Sequence, residues 1–369
     1  MEENIKETVE KKDILKHYFA SLLVYGLIII CMIICPVYYE QIEDNPINYI
    51  TFFVLYYLGY VLVAPIIYFN FKPKSLLNSK NIIILKYFAK QFKRNNTTKE
   101  FLVNIEPKEE EKQALMELFV KVFFGVNSVH FLLNTYLPSF GYNLDFIKAI
   151  TINIAEYIKT QNALFPNIIQ FIIDTGDVWI KIILTLTTLV LAFSYLTDTT
   201  IFKNKIKSVD TTPLGVLSCI ICYYPLTILT SKFIVLSLNE LIPVKNITLL
   251  AILNILIIAV NLMGLIATLR LFGKVGNLTN RGIVTKFPYN IIRHPIYTMQ
   301  VCYIILTSIP VIILNDIPID VKMAVIFAIF VWIGIYYLRA ITEERHLIND
   351  PDYQKYVEKV KYRFIPKIW

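Results

Sequence analysis

Arg293-His294-Pro295-Ile296-Tyr297 closes a polar stretch that begins at Arg281, inside an otherwise apolar C-terminal third. Pro295 has no backbone N–H and disfavours helix at the residue before it, so a helix is expected to start there. The N–H groups of a first helical turn lack partners within the helix and can bind polar ligand atoms. Tyr289 and Tyr297 add aromatic surface with hydroxyls. Farther along the chain lie Arg339, Glu343 and Glu344. Arg339 and Glu343 are four apart and share one helical face. A carboxylate beside free backbone donors suits a ligand with amine and hydroxyl groups. An arginine next to it suits a carboxylate or another anion. Each group alone has a plain explanation: a basic interfacial loop with an aromatic belt, and a surface ion pair worth about 0–1 kcal/mol.

The elements that must carry these residues are apolar runs. Of 369 residues, 56% are hydrophobic and only 17% charged, against about a quarter charged in a soluble domain. Eight runs approach the roughly 17–25 residues a bilayer requires: 18–39, 50–69, 117–137, 178–197, 214–238, 247–272, 299–315 and 321–338. The expected fold is an all-α polytopic membrane helical bundle of about eight transmembrane helices. Its last two spans form a C-terminal helical hairpin, and the polar loops beside it face the cytoplasm. The first run lacks a small-residue cleavage site and reads as a retained span.

Charge orients the bundle. With the N-terminus inside, segments 1–17, 70–116, 198–213, 273–298 and 339–369 hold 28 Lys and Arg, and the outer segments hold three, Lys148, Lys159 and Lys245. This asymmetry places both termini in the cytoplasm. It also accounts for the net charge of +8 without nucleic acid. The polar loop 281–297 and the box 339–347 then lie on one side and are expected to form one site.

Other chemistry-bearing residues have simpler readings. Cys219 and Cys222 have metal or redox spacing but no polar neighbours to complete a site, so no metal is expected. Lys121, Lys181 and Lys232 lie near enough to span ends to snorkel. His130 suits a hydrogen bond inside the bundle. Ile82, Ile83, Leu85, Phe88 and Phe92 interleave with Lys80, Lys86, Lys90, Lys93 and Arg94, the pattern of an amphipathic helix on the inner leaflet. Phe146, Ile150, Ile154, Tyr157 and Ile158 suggest a second surface helix. Asp210-Thr-Thr-Pro213 reads as a helix start.

The order of the C-terminal pieces resembles the isoprenylcysteine carboxyl methyltransferase family: RHPxY at Arg293–Tyr297, a helical hairpin, Arg339 with Glu343 and Glu344, Leu347, then Tyr353, Tyr356 and Pro366. The resemblance covers residues 247–369 and implies an integral-membrane enzyme using S-adenosylmethionine. Residues 1–246 would be a separate N-terminal membrane region. By the resemblance, Arg281, Gly282, Ile283, Val284 and Tyr289 line the cofactor, with Lys274 as a further contact. His294, Pro295, Ile296 and Tyr297 bind it, and Glu343 holds a polar end. Arg339 orients the carboxylate of a lipophilic methyl acceptor. A carboxylate needs no general base; an amine acceptor, as in a phospholipid N-methyltransferase, would need one, for which His294 and Glu344 are the candidates. Departures are Phe287-Pro288 before Tyr289, Met299 after the motif, and Asn349-Asp350-Pro351-Asp352 in place of the usual Phe-Gly. Two other classes compete: a sterol-reductase-like NADPH oxidoreductase, and a non-catalytic transporter or scaffold, whose paired broken helices are not evident.

Overall fold

An apolar run in a bilayer folds as a helix because the helix pairs its backbone N–H and C=O groups internally. The computed structural model describes residues 8–34, 46–95, 107–136, 144–145, 148, 164–199, 201–231, 246–314 and 316–368. Their helices, in chain order, are α1 (Lys11–Ile34), α2 (Pro46–Phe71), α3 (Lys80–Asn95), α4 (Glu109–His130), α5 (Leu164–Leu196), α6 (Pro213–Ile220), α7 (Leu226–Ser231), α8 (Ile247–Leu271), α9 (Pro295–Ile313), α10 (Ile319–Leu347) and α11 (Pro351–Lys359). Seven of these, α1, α2, α4, α5, α8, α9 and α10, are long and apolar enough to cross a membrane. The protein is a multi-pass all-α membrane bundle.

The run expected as one span over 214–238 is different. Its described part is two short helices, α6 and α7, separated by a turn at 221–225. Pro225 has no N–H to continue a helix, and it disfavours helical backbone at Tyr224. The side-chain amide of Asn127 donates to the Tyr224 carbonyl at 3.3 Å and takes up one of the backbone groups the break releases. Thr212 caps α6 by accepting from Gly215 N at 3.3 Å, with Pro213 in the first turn. The surface helix expected around Phe146–Ile158 falls outside the described residues.

The chain divides into two compact units, Met1–Phe123 and Phe124–Trp369. In the first, α1 packs on α2 and α3. His17 Nδ1 lies 2.7 Å from Ser79 Oγ, and Asn81 donates to Ser21 Oγ at 2.8 Å, which seats the start of α3 on α1. Lys80 and Lys121 both pair with the buried Glu117. In the second unit, α8 packs between α5 and α9, and α10 touches α9 and α6. The α5–α8 approach depends on Gly176, since a Cβ there would lie 2.4 Å from Asn254 Oδ1. The division expected at 246/247 marks where the resemblance begins; the packing of α8 on α5 runs across it.

Two features set up the site. Helix α10 does not stop at Leu338 but runs unbroken to Leu347, so Arg339, Glu343 and Glu344 ride on the span itself. A short antiparallel ribbon pairs β1 (Ser208–Val209) with β2 (Thr279–Asn280) and fixes the loop leaving α8.

Candidate functional site

A cavity of about 350 Å³ opens within the second unit, within the range of about 300–1,000 Å³ typical of small-molecule sites. Its walls come from α5, α8, α9, α10, α11 and the 274–284 loop. Lys274, Arg281, Gly282, Ile283, Val284, Tyr289, His294, Pro295, Ile296, Tyr297, Arg339 and Glu343 all line it. The two separated motifs therefore share one wall: the Tyr297 hydroxyl donates to Glu343 Oε2 at 2.7 Å.

Arg339 is 5% exposed. Its guanidinium lies over the rings of Tyr297 and Tyr336, 5.0 and 5.4 Å from their centroids, a geometry in which the aromatic faces attract the cation. Its hydrogen bond goes to a neutral group, Asn277 Oδ1, at 2.5 Å. Nε finds no partner among the described residues, and no ion pair joins Arg339 to Glu343 or to another described carboxylate. The surface ion pair that would have explained this box plainly is not formed.

Glu344 stands apart. It does not line the cavity. Its carboxylate pairs with Arg293 Nε at 3.0 Å and Arg363 Nε at 3.0 Å, and accepts from His294 Nε2 at 3.0 Å. A carboxylate accepts, so this bond places the proton on Nε2 and leaves Nδ1 toward Glu343, 3.8 Å from Oε2. Glu344 is thus a clamp behind His294 rather than a group facing a ligand. The His294 ring stacks on Tyr297 at 5.4 Å.

Sequence reasoning missed the C-terminal tail. The N–H of Arg293 donates to the Tyr362 carbonyl at 2.9 Å and that of His294 to the Arg363 carbonyl at 3.0 Å. Thr298 Oγ1 reaches the Phe364 carbonyl at 3.2 Å. No pattern in 360–364 announces this pairing. Arg281 lines the cavity, yet its Nη1 donates to the carbonyls of Thr197, Asn204 and Gly273 at 3.2, 2.9 and 3.3 Å, so this part of the side chain braces the loop. Gly282 has φ +96°, a region other residues adopt with strain, and a Cβ there would meet Lys274 Nζ at 3.2 Å.

Comparison with family models, with curated proteins and with solved structures found no match.

The chemistry of this site therefore rests on its own atoms. At one end Tyr289, Tyr353 and Tyr356 form an aromatic cluster with Ile283, Val284 and Leu347 against it. The hydroxyls of Tyr289 and Tyr353 are buried and find no partner among the described residues; burial pushes both phenols up from their usual range, with nearby carboxylates adding to the effect. Tyr356 instead donates to the Tyr289 carbonyl at 2.7 Å. Asp350 secures this end: it accepts from Asn280 Nδ2 at 2.8 Å, pairs with Lys207 at 3.0 Å and caps α11 through Asp352 N at 3.0 Å. Partial burial opposes ionisation of Asp350, but the Asn280 and Lys207 bonds outweigh it and hold the carboxyl below its usual range. The arrangement offers a buried cation, a carboxylate acceptor and two free hydroxyls around one cavity.

Proposed function

We propose that this protein is an integral-membrane methyltransferase that uses S-adenosylmethionine to methylate the carboxylate of a lipophilic acceptor, with both termini in the cytoplasm. The observation that carries the reading is Arg339: a buried guanidinium at the cavity wall whose charge no described carboxylate neutralises. A buried charge is costly unless a counter-charge meets it, so the wall is built for an anionic ligand. Glu343, one turn along α10, is 38% exposed at its side chain and retains acceptor capacity beyond the bond from Tyr297.

The residues fit the cofactor that the resemblance implies. Glu343 suits its amine or ribose hydroxyls, and the first turn of α9 offers N–H groups. The aromatic cluster with the Tyr289 and Tyr353 hydroxyls suits a heteroaromatic base. When bound, S-adenosylmethionine supplies an already activated methyl group on a sulfonium. The chain's own work would then be positioning: Arg339 would orient the acceptor carboxylate, a group that needs no general base because it carries no proton to lose. Tyr297 and Tyr336 hold the guanidinium and exclude water. Glu344 keeps His294 in place and needs no part in proton transfer.

Calorimetry on detergent-purified protein tests the reading. S-adenosylhomocysteine is expected to bind and NADPH not to. Binding of NADPH alone would replace the reading with the reductase.

A further inference from the structure

We propose that Asn277 is a neutral tether that fixes the direction of Arg339 while leaving its charge available to the acceptor. The proposal rests on the reading of the cavity as an anion-accepting site, and it adds a positioning residue that neither motif contains. Asn277 lies in the loop between α8 and β2, and its backbone N–H and both side-chain polar atoms are hydrogen-bonded. Its N–H donates to the Tyr195 hydroxyl at 2.8 Å, its Nδ2 donates to the Tyr223 hydroxyl at 2.9 Å, and its Oδ1 accepts from Arg339 Nη2 at 2.5 Å. The tyrosines are themselves packed on Phe124, with ring centroids 5.5 and 4.9 Å away.

The amide orientation follows from this. Turning it over would put an N–H₂ group against the guanidinium, donor against donor, and leave the carbonyl against a hydroxyl. The choice of residue type follows too. An aspartate would offer the same oxygen but would neutralise the guanidinium and compete with any incoming carboxylate. An apolar residue would leave Arg339 held only by the faces of Tyr297 and Tyr336. An asparagine supplies an acceptor without charge, which is what a site that must stay cationic until its ligand arrives requires.

The test compares Asn277→Asp and Asn277→Ala in the full chain reconstituted in nanodiscs. Thermal unfolding is read first. The aspartate variant is expected to melt at or above the wild-type temperature, because its new carboxylate meets a buried cation, whereas the alanine variant melts lower. If Asn277 were only a structural link to the two tyrosines, both variants would melt lower, and that result overturns the proposal. Tritiated-methyl transfer to a prenylcysteine analogue is read second. Asn277→Asp is expected to raise KM roughly ten- to a hundredfold, the worth of a charge-assisted bond, while the Kd for S-adenosylhomocysteine stays unchanged. A wild-type KM in that variant also overturns the tether. If the wild-type protein transfers no methyl group, the methyltransferase reading fails, and the melting pair decides the tether by itself.

Discussion

At the scale of single residues, two side chains one turn apart on α10 divide the work of the cavity. Glu343 accepts from Tyr297 and faces the volume. Glu343→Gln keeps the shape and removes the charge, so the S-adenosylmethionine Kd is expected to rise roughly ten- to a hundredfold, the worth of a charged hydrogen bond. Arg339→Lys keeps the charge and removes the planar fork. Its cofactor Kd is expected to stay near wild type while methyl transfer falls strongly, because a lysine cannot both reach Asn277 and orient a carboxylate. Calorimetry beside a tritiated-methyl assay reads both variants. Wild-type turnover in Arg339→Lys would remove Arg339 from the reaction.

At the scale of elements, α11 and the β1–β2 ribbon are joined through Asp350, whose side chain is 9% exposed. Asp350 is held below its usual pKa, so its contribution is full above the unfolded value of about 3.9 and is lost as pH falls through the lower folded value. Asp350→Asn is therefore expected to lower the melting temperature at pH 7, with the gap closing below about pH 4 as the wild-type carboxyl protonates. A gap that stays constant down to pH 3 would mean that Asp350 acts without its charge. Helix α3 carries a different prediction. Asn81 and Ile84 are buried, and the same stripe continues to Phe88 and Phe92, 47% and 71% exposed, with Lys86 and Lys90 exposed beside it. The second half of the helix thus presents an aromatic stripe to whatever surrounds the bundle, as an interfacial helix does. The emission of Phe92→Trp in nanodiscs is expected to be quenched by lipids brominated on the acyl chain. Unquenched emission would place that stripe in water or against protein.

At the scale of the whole molecule, orientation is the quantity to measure. The 28-to-three Lys and Arg bias, counted with residues 214–238 as one of eight spans, leads to the expectation that the mouth of the cavity and Lys355 face the cytoplasm and Asp316 the other side. A cysteine introduced at Asp316 is expected to react with an impermeant reagent from the extracytoplasmic side, and one at Lys355 only from the cytoplasmic side. The reverse pattern would put the mouth of the cavity on the extracytoplasmic side and overturn the expected orientation.

Much of this protein is written locally. Runs such as 247–272 and 321–338 must become helices because a bilayer leaves their backbone no other partner, and Pro295 sets the start of α9 through its own ring. The twelve residues named from Lys274 to Glu343 come mainly from the resemblance, and all of them line one cavity. What depended on tertiary structure was the company each residue keeps. In the sequence Glu344 is a candidate general base beside Glu343, and only the approach of Arg293, His294 and Arg363 shows it as a clamp. The break at Pro225 has a local cause in the proline ring, whereas the tail pinned at 362–364 and the Asn277 tether join segments dozens of residues apart. Periodicity and spacing act over a few residues, so they specify elements and faces. Whether a buried arginine meets a carboxylate or an asparagine is decided by packing between elements, which no local pattern encodes.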